Sequence, residues 1–256
     1  MSADERQPAR RPGAGPVEVL LLDPSFLAVL KPSGLPVLAD RWEPGETVVS
    51  VLKRSEEGPL HVVHRLDRDA SGVLLLARTE DALRALSAQF EQRTVEKVYD
   101  ALVAAMPQED EGRVDAPIGE DPSRPGRMRV DRKNGKPAVT RWIVRQRFLR
   151  FALLEVHPES GRTHQIRVHL AWAGMPLAVD PLYGPRQPIL LSEIKAGYKP
   201  GRREERPLLE RLPLHARQIG FAHPVSGERV VVEAPLMKDL AVCLKQLAKY
   251  DRPAFL

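Results

Sequence analysis

The sequence contains one cysteine, Cys243, among 256 residues. A single cysteine excludes an intramolecular disulfide, and the periodic apolar segment around Cys243 favours a packing role over a nucleophilic one. The chain also lacks an apolar run of about 18 residues, the length that crosses a bilayer. Its first residues lack the pattern of a secretory signal. These absences predict a cytoplasmic protein in a reducing compartment, with no membrane partner.

Two glycine-rich motifs that bind nucleotide phosphates, G-x-x-x-x-G-K-[ST] and a strand-linked G-x-G-x-x-G, are also missing. Residues 50–53 fit the S-x-x-K pattern of serine acyl-enzymes, but two fixed letters recur by chance and the companion motifs are absent. His61, His64 and Asp67 could suggest a metal site. Pro59 and the surrounding strand pattern argue against the helix that would bring these side chains together. These patterns therefore predict no metal site and no nucleotide cofactor.

The charge balance favours an anionic partner. Lysine and arginine number 39 and aspartate and glutamate 34, which gives a net charge of +5. Six cations fall within residues 124–136, as expected for a loop over a phosphate backbone, although a solvated surface has the same pattern. Residues 1–15 are polar and rich in proline and glycine, and we predict a disordered tail there.

The most informative stretch is a charged turn that runs directly into an apolar strand, from His64 to Arg78. Gly72 separates the charged residues from the apolar block, which must be buried. Side chains at the base of a buried strand are held rigidly, as a catalytic carboxylate requires. Asp67 is the candidate, and Arg65 lies two residues earlier on the same side of an extended segment. A salt-bridged turn that caps a strand is the alternative interpretation.

Periodicity and capping signals predict a series of elements along the chain. We expect a hairpin over 17–30, strands over 73–77, 96–103, 140–144 and 149–156, and a closing hairpin near 212–232. We expect helices after Thr79, over 163–174 with Thr163 as cap, and over 236–249. Residues 185–211 read as a charged insertion with a short helix.

Several motifs resemble those of the RluA-type RNA pseudouridine synthases. Residues 64–72 match the family pattern H-R-L-D, two variable residues, T/S-S-G, with Ala70 where threonine is usual. Other resemblances are K-P-x-G-x-x-V at 31–37, K-x-Y-x-A-x-V at 97–103, and G-R-T-H-Q-I-R-V-H-L at 161–170. Asp180 and Leu182-Tyr183-Gly184 complete the last motif, with Val179 in place of the usual glycine. The matches follow the family order over about residues 17–247.

The resemblance implies an α+β fold, the pseudouridine-synthase fold. It consists of a mixed, largely antiparallel sheet in two subdomains, with a central active-site cleft between them. The catalytic domain would cover residues 16–250, including the insertion at 185–211. We expect a monomer without the N-terminal S4-like domain of many relatives.

The resemblance also implies an activity, the isomerisation of uridines to pseudouridine in structured ribosomal or transfer RNA. Asp67 would be the nucleophile, attacking either the sugar or the base, and Arg167 would keep it charged. Tyr99 would lie against the target base and handle a proton. Arg65 would fill the gap that a flipped uridine leaves. The further RNA-binding candidates are Lys31, Arg162, His164 and Gln165.

A non-catalytic RNA-binding or RNA-chaperone protein is the rival hypothesis, since positive charge supports both. The trio Asp67, Tyr99 and Arg167 favours the enzyme, because a simple binder gains nothing from a carboxylate placed where phosphates repel it.

Overall fold

The computed structural model describes residues 17–39, 45–199, 201 and 204–252. Contacts divide the chain into two compact units, Met1–Val95 with Gln218–Ala234 and Glu96–Arg217 with Pro235–Leu256. The tail predicted for residues 1–15 lies outside the described residues.

The elements follow one another along the chain as strands and helices in a mixed order. They are β1 (Glu18–Leu22), β2 (Phe26–Lys31), α1 (Val48–Leu52), β3 (His61–Val62), β4 (Ser71–Ala77), α2 (Glu80–Glu91), β5 (Glu96–Val103), β6 (Glu111–Asp115), β7 (Ile118–Glu120), β8 (Met128–Val130), β9 (Val139–Arg147), β10 (Ala152–Pro158), α3 (Gln165–Trp172), α4 (Leu191–Ile194), β11 (Leu214–Ala222), β12 (Arg229–Glu233) and α5 (Lys238–Tyr250).

In the first unit, β2 lies between β1 and β4, and all of these pairings are antiparallel. The predicted hairpin is confirmed, and its turn is closed by the Ser25 amide, which donates to Asp23 Oδ1 across 2.8 Å. Every residue of β4 is buried. That burial explains why the strand is apolar along its whole length instead of alternating with polar residues.

Helix α2 begins as the sequence predicts. The Thr79 hydroxyl accepts the Ala82 amide at 3.1 Å, and two acidic residues occupy the first turn. The end of the helix is tied to β11 by Gln89, whose side-chain amide donates to Ala222 O and accepts from Ala222 N, both at 2.8 Å. These bonds join residues 133 positions apart within the first unit.

In the second unit, four antiparallel strands lie in the order β5, β10, β9, β6. The prediction of a loop over 124–136 is wrong in one respect, because the segment contains β8, which forms a hairpin with β7. Met128 and Val130 of that hairpin pack against a small core of Ile118, Ala138 and Val168. A three-residue strand among arginines gives too short an alternation to be recognised from sequence.

The insertion at 185–211 packs into the second unit. Ile189, Ile194 and Leu209 share a buried cluster with residues of α5, including Cys243 and Leu247. Burial raises the pKa of the Cys243 thiol to about 12, so the thiol stays protonated and the predicted packing role is confirmed.

The predicted class, α+β with a largely antiparallel sheet, is confirmed by these pairings. Within the described part of the chain, no helix has both the length and the apolar character needed to cross a membrane.

Candidate active site

The turn that carries Asp67 lies between β3 and β4 in the first unit. The Ala70 amide donates to the Asp67 carbonyl across 3.2 Å and closes the turn. Leu66 before it and Ser71 after it are buried, while Asp67 is partly exposed and Arg65 is exposed. The backbone of Asp67 is therefore fixed by its neighbours, and its carboxylate remains within reach of solvent.

Lys31 supports this turn from inside the protein. Its side chain is completely buried, and Nζ donates to the carbonyl oxygens of Pro32, Leu35 and Arg68 at 2.8, 2.7 and 2.7 Å. An ammonium group has three hydrogens, and three backbone carbonyls accept them here. In this geometry Lys31 holds two loops together and offers no surface to RNA.

Two further bonds join the same loops. The Gly34 amide donates to Arg68 O at 2.9 Å, and the Ser33 hydroxyl donates to Asp69 O at 2.5 Å. Gly34 has a positive φ of 84°, a conformation that glycine adopts without steric cost. The proline-flanked loop after β2 thus supports residues 67–70 through these hydrogen bonds.

His64 anchors the start of the motif to β4 and α2. Its Nε2 accepts the Leu75 amide at 3.0 Å, and its ring stacks on Phe90 with the centroids 4.8 Å apart. Sequence patterns assign His64 only to the H-R-L-D motif and to a metal site that the strand pattern argues against. Among the residues that the structure describes, no group of three or more histidine, cysteine, aspartate or glutamate side chains could hold a metal ion.

Ser50, the serine of the S-x-x-K pattern, has a structural role in α1. Its amide donates to Thr47 Oγ1 at 3.0 Å, and its hydroxyl accepts the Thr47 amide at 2.8 Å. These reciprocal bonds form a capping box at the start of the helix.

Tyr99 lies on β5 in the second unit, partly exposed between buried neighbours. Successive side chains of a strand point to opposite faces, so the phenol lies on the face opposite Asp100. Asp100 is directly across from Glu155 in β10, and burial raises the pKa of the Asp100 carboxyl.

Two arginines compensate these adjacent acidic groups. Arg145 Nε donates to Glu155 Oε2 at 3.0 Å, and Arg217 Nε lies 3.3 Å from Asp100 Oδ1. Burial acts to raise the pKa of Glu155, but its hydrogen bonds with Arg145 and His157 outweigh burial and lower it. This network, which sequence analysis missed, fixes the strand on which Tyr99 stands.

Arg167 forms a buried bidentate pair with Asp180. Nε donates to Oδ2 at 2.9 Å and Nη2 to Oδ1 at 2.8 Å, with both side chains almost inaccessible to solvent. Asp180 Oδ1 also accepts the amides of Leu182 and Tyr183. Two parallel bonds fix the plane of a guanidinium. The sequence placed Asp180 in a family motif but gave no indication that it binds Arg167.

The start of α3 differs from the prediction. Thr163 is not the cap: the helix begins at Gln165, and His164 is the N-cap residue, in the left-handed region with φ 54° and without a side-chain capping bond. A non-glycine residue held there is strained. His164 Nδ1 lies 2.8 Å from the Tyr183 hydroxyl.

Gln165 is buried, and its amide is used inside the second unit. Its Oε1 accepts from the Ser160 hydroxyl and the Arg162 amide at 2.7 and 3.1 Å, and its Nε2 donates to Val139 O and Thr140 Oγ1 at 2.9 and 3.1 Å. The side chain therefore shapes the loop before α3 instead of facing RNA. Arg162 is partly exposed in that loop.

His169 continues this network into the core. Its Nε2 lies 2.9 Å from Ala116 O and must donate, so Nδ1 accepts from the Thr140 hydroxyl at 2.8 Å. Burial lowers the pKa of His169, which keeps the imidazole neutral.

The predicted residues thus fall into two groups. Lys31, Arg65 and Asp67 belong to the first unit, and Tyr99 and the loop and helix of residues 162–167 belong to the second.

Several known proteins resemble this chain in sequence and in fold. A family model described as RNA pseudouridylate synthase matches residues 25–172. An uncharacterized RNA pseudouridine synthase of Chloroflexus aurantiacus is 41% identical over 232 residues, covering 88% of this chain and 67% of the relative. Ribosomal large subunit pseudouridine synthase D of Nitrosomonas europaea is 38% identical over 248 residues, covering 95% and 69%.

An uncharacterized RNA pseudouridine synthase of Bacillus subtilis is 42% identical over 188 residues, and the chain spans 56% of its length. Among solved structures, human RNA Pseudouridylate Synthase Domain Containing 4 superimposes with a TM-score of 0.70 at 29% identity, covering 90% of this chain and 92% of that one.

Proposed function

The chain belongs to the RNA pseudouridylate synthase family, and from that premise we propose that it isomerises specific uridines in structured RNA to pseudouridine. The observation that carries the proposal is the position of Asp67. This carboxylate follows the H-R-L motif in a turn whose carbonyls are held by the buried Lys31 and by the loop after β2. Such preorganisation suits a catalytic group and has no purpose in a solvated surface turn.

Asp67 is the proposed nucleophile. The reaction breaks the bond between the ribose and a ring nitrogen of uracil and forms a bond to a ring carbon. The same atoms are present before and after, with no redox change. A carboxylate that attacks the sugar or the base can hold an intermediate while the base turns. The residues required are then a nucleophile, a group that handles one proton and groups that hold the RNA.

Tyr99 and Arg167 are the proposed partners in this chemistry. Tyr99 offers a partly exposed phenol that can lie against the base and handle the proton lost from the ring carbon. Arg167 offers a guanidinium whose orientation is set by Asp180, and its positive charge would stabilise negative charge at the reacting groups.

RNA binding is assigned to exposed and partly exposed side chains, most of them cations. Arg65 is proposed to stack on bases next to the flipped uridine, because a planar guanidinium stacks and pairs with phosphate at once. Arg162, His164 and the basic residues of 124–136 would contact the backbone. We propose that Lys31 and Gln165 act indirectly, as positioning residues, because both side chains are buried.

Ribosomal RNA is the first substrate to test, since relatives carry the name ribosomal large subunit pseudouridine synthase. Transfer RNA is the second. Pseudouridines should be mapped in total RNA from cells that lack the gene, cells that carry it, and cells that carry Asp67→Asn. We expect at least one pseudouridine to require the wild-type gene. If all three RNA samples have identical maps while the purified protein still binds RNA, the non-catalytic RNA-binding hypothesis is correct.

A further inference from the structure

Tyr183 joins two parts of the second unit through its hydroxyl group. The Met128 amide of β8 donates to Tyr183 Oη at 2.8 Å, and His164 Nδ1 lies 2.8 Å from the same oxygen. A phenol has one hydrogen, and the amide can only donate. In the tautomer of His164 that carries its hydrogen on Nε2, the Tyr183 hydroxyl donates this hydrogen to Nδ1. Burial raises the pKa of Tyr183, so the hydroxyl keeps this hydrogen at neutral pH.

The ring of Tyr183 also lies close to two guanidinium groups. The Arg127 guanidinium carbon is 5.3 Å from the ring centroid and that of Arg167 is 5.1 Å from it. Both distances are within the range of cation–π attraction. Arg127 precedes β8, and Arg167 is the proposed catalytic arginine on α3. One aromatic side chain thus contacts the hairpin, the strained N-cap of α3 and the buried arginine.

The hairpin formed by β7 and β8 is rich in positive charge. We call residues 118–136, which include β7 and β8, the basic hairpin. Its exposed cations are Arg124, Arg129, Arg132, Lys133 and Lys136. An ordered hairpin loses less conformational entropy when it binds RNA. Cations on a well-ordered hairpin therefore contribute more to RNA affinity.

We propose that Tyr183 is a positioning residue that holds the basic hairpin and the His164–Arg167 segment in one fixed arrangement for RNA. The proposal rests on the function proposed above and deepens it by assigning a residue to substrate binding. The hydroxyl fixes the hairpin to His164, and the ring supports Arg127 and Arg167. The hydroxyl is the specific requirement, since any large aromatic residue could pack against the small core of Ile118, Ala138 and Val168.

Tyr183→Phe removes only this hydroxyl and keeps the ring. We expect the KM for RNA to rise about 5- to 10-fold, the loss typical of one or two hydrogen bonds, with kcat within about twofold of wild type. The matched control is Tyr198→Phe, a partly buried tyrosine of the insertion, which should leave both constants unchanged. An unchanged KM in Tyr183→Phe overturns the proposal.

Two measurements separate positioning from a general loss of stability. In Tyr183→Phe, hydrogen exchange at the Met128 amide should accelerate at least tenfold while exchange in β5 and β10 stays the same. Nitrogen NMR of wild type should show His164 with an accepting Nδ1, and this signature should disappear in the variant. Equal acceleration of exchange across the whole unit would overturn the proposal in favour of a purely structural role.

A double-mutant cycle with Arg132→Ala completes the test, because Arg132 is exposed on the basic hairpin. If Tyr183 positions the hairpin, Arg132→Ala should raise the KM less in the Tyr183→Phe background than in wild type. Fully additive effects contradict the proposal. If wild type makes no pseudouridine, the proposed function fails, and RNA affinity and Met128 exchange still decide the role of Tyr183.

Discussion

The Lys31 ammonium lies 2.7 Å from the carbonyl oxygen of Arg68, the residue that follows Asp67. Lys31→Met keeps the length of the side chain but removes the ammonium that donates to three backbone carbonyls. We expect the free energy of unfolding to fall by about 3 kcal/mol or more, since each bond to a charged group contributes about 1.5 to 3 kcal/mol. Urea unfolding measures this. Lys53→Met, at an exposed site, should change stability little, and similar losses in both variants would contradict the proposed support.

Asp67→Asn should fold, bind RNA and form no pseudouridine, because it removes the nucleophile and leaves the backbone of the turn intact. Asp69→Asn is the matched control in the same turn, since the described contact of Asp69 is made by its backbone carbonyl. Activity should be measured on RNA that wild type modifies. Near-normal activity of Asp67→Asn or Asp67→Ala would remove Asp67 from the mechanism.

Arg167→Ala leaves the buried Asp180 carboxylate without its bidentate partner. We expect a loss of about 3 to 5 kcal/mol in unfolding free energy, together with a loss of activity in the folded fraction. Arg167→Lys should recover part of both. Arg141→Ala, which breaks the more exposed pair with Glu159, should cost about 0 to 1 kcal/mol. A fully active Arg167→Ala would show that the nucleophile does not depend on this arginine.

Arg65→Ala should affect structured and unstructured substrates differently. Flipping a stacked uridine costs a few kcal/mol, and a side chain that fills the gap recovers part of this. Activity should therefore fall much more on a folded stem-loop than on a short unstructured RNA. Equal losses on both RNAs, recovered at low salt, would mean that Arg65 contributes only electrostatic attraction to phosphate.

The pH dependence of stability should depend on His169. Its folded pKa is lowered by burial from the ordinary 6.5, so the unfolded chain binds the proton first as pH falls. The stabilisation that depends on neutral His169 is therefore fully present above about pH 6.5. It is lost below that pH, by up to about 1.4 kcal/mol per pH unit. Between pH 7.5 and 5.5, the free energy of unfolding should fall less steeply in His169→Gln than in wild type. Parallel declines would show that other groups account for the pH dependence.

Short-range signals in the sequence predicted much of the fold. The Asp23–Pro24 turn, the apolar run of β4 and the Thr79 cap all act over a few residues, and the structure has each of them. The closing hairpin and the last helix were found for the same reason.

Side chains whose surroundings come from distant segments could not be predicted. Lys31 is an RNA-binding candidate in the sequence, yet the structure buries its side chain, and its acceptor at Arg68 is 37 residues away. Gln165 is a similar case, since the partners of its buried side chain include a strand 26 residues earlier. His164 at the start of α3 has a left-handed backbone, a conformation that only a few per cent of non-glycine residues adopt.

The bonds between Gln89 and Ala222 have a consequence for how the protein is made. On a ribosome that adds about 5 to 20 residues per second, Ala222 is synthesised roughly 7 to 27 seconds after Gln89. During that interval β1, β2, β4 and α2 have left the ribosome without the strand that completes their unit. All residues of β5 to β10 emerge meanwhile, so the second unit can begin to fold before the first is closed. A nascent chain halted near residue 200 should therefore leave α2 sensitive to protease.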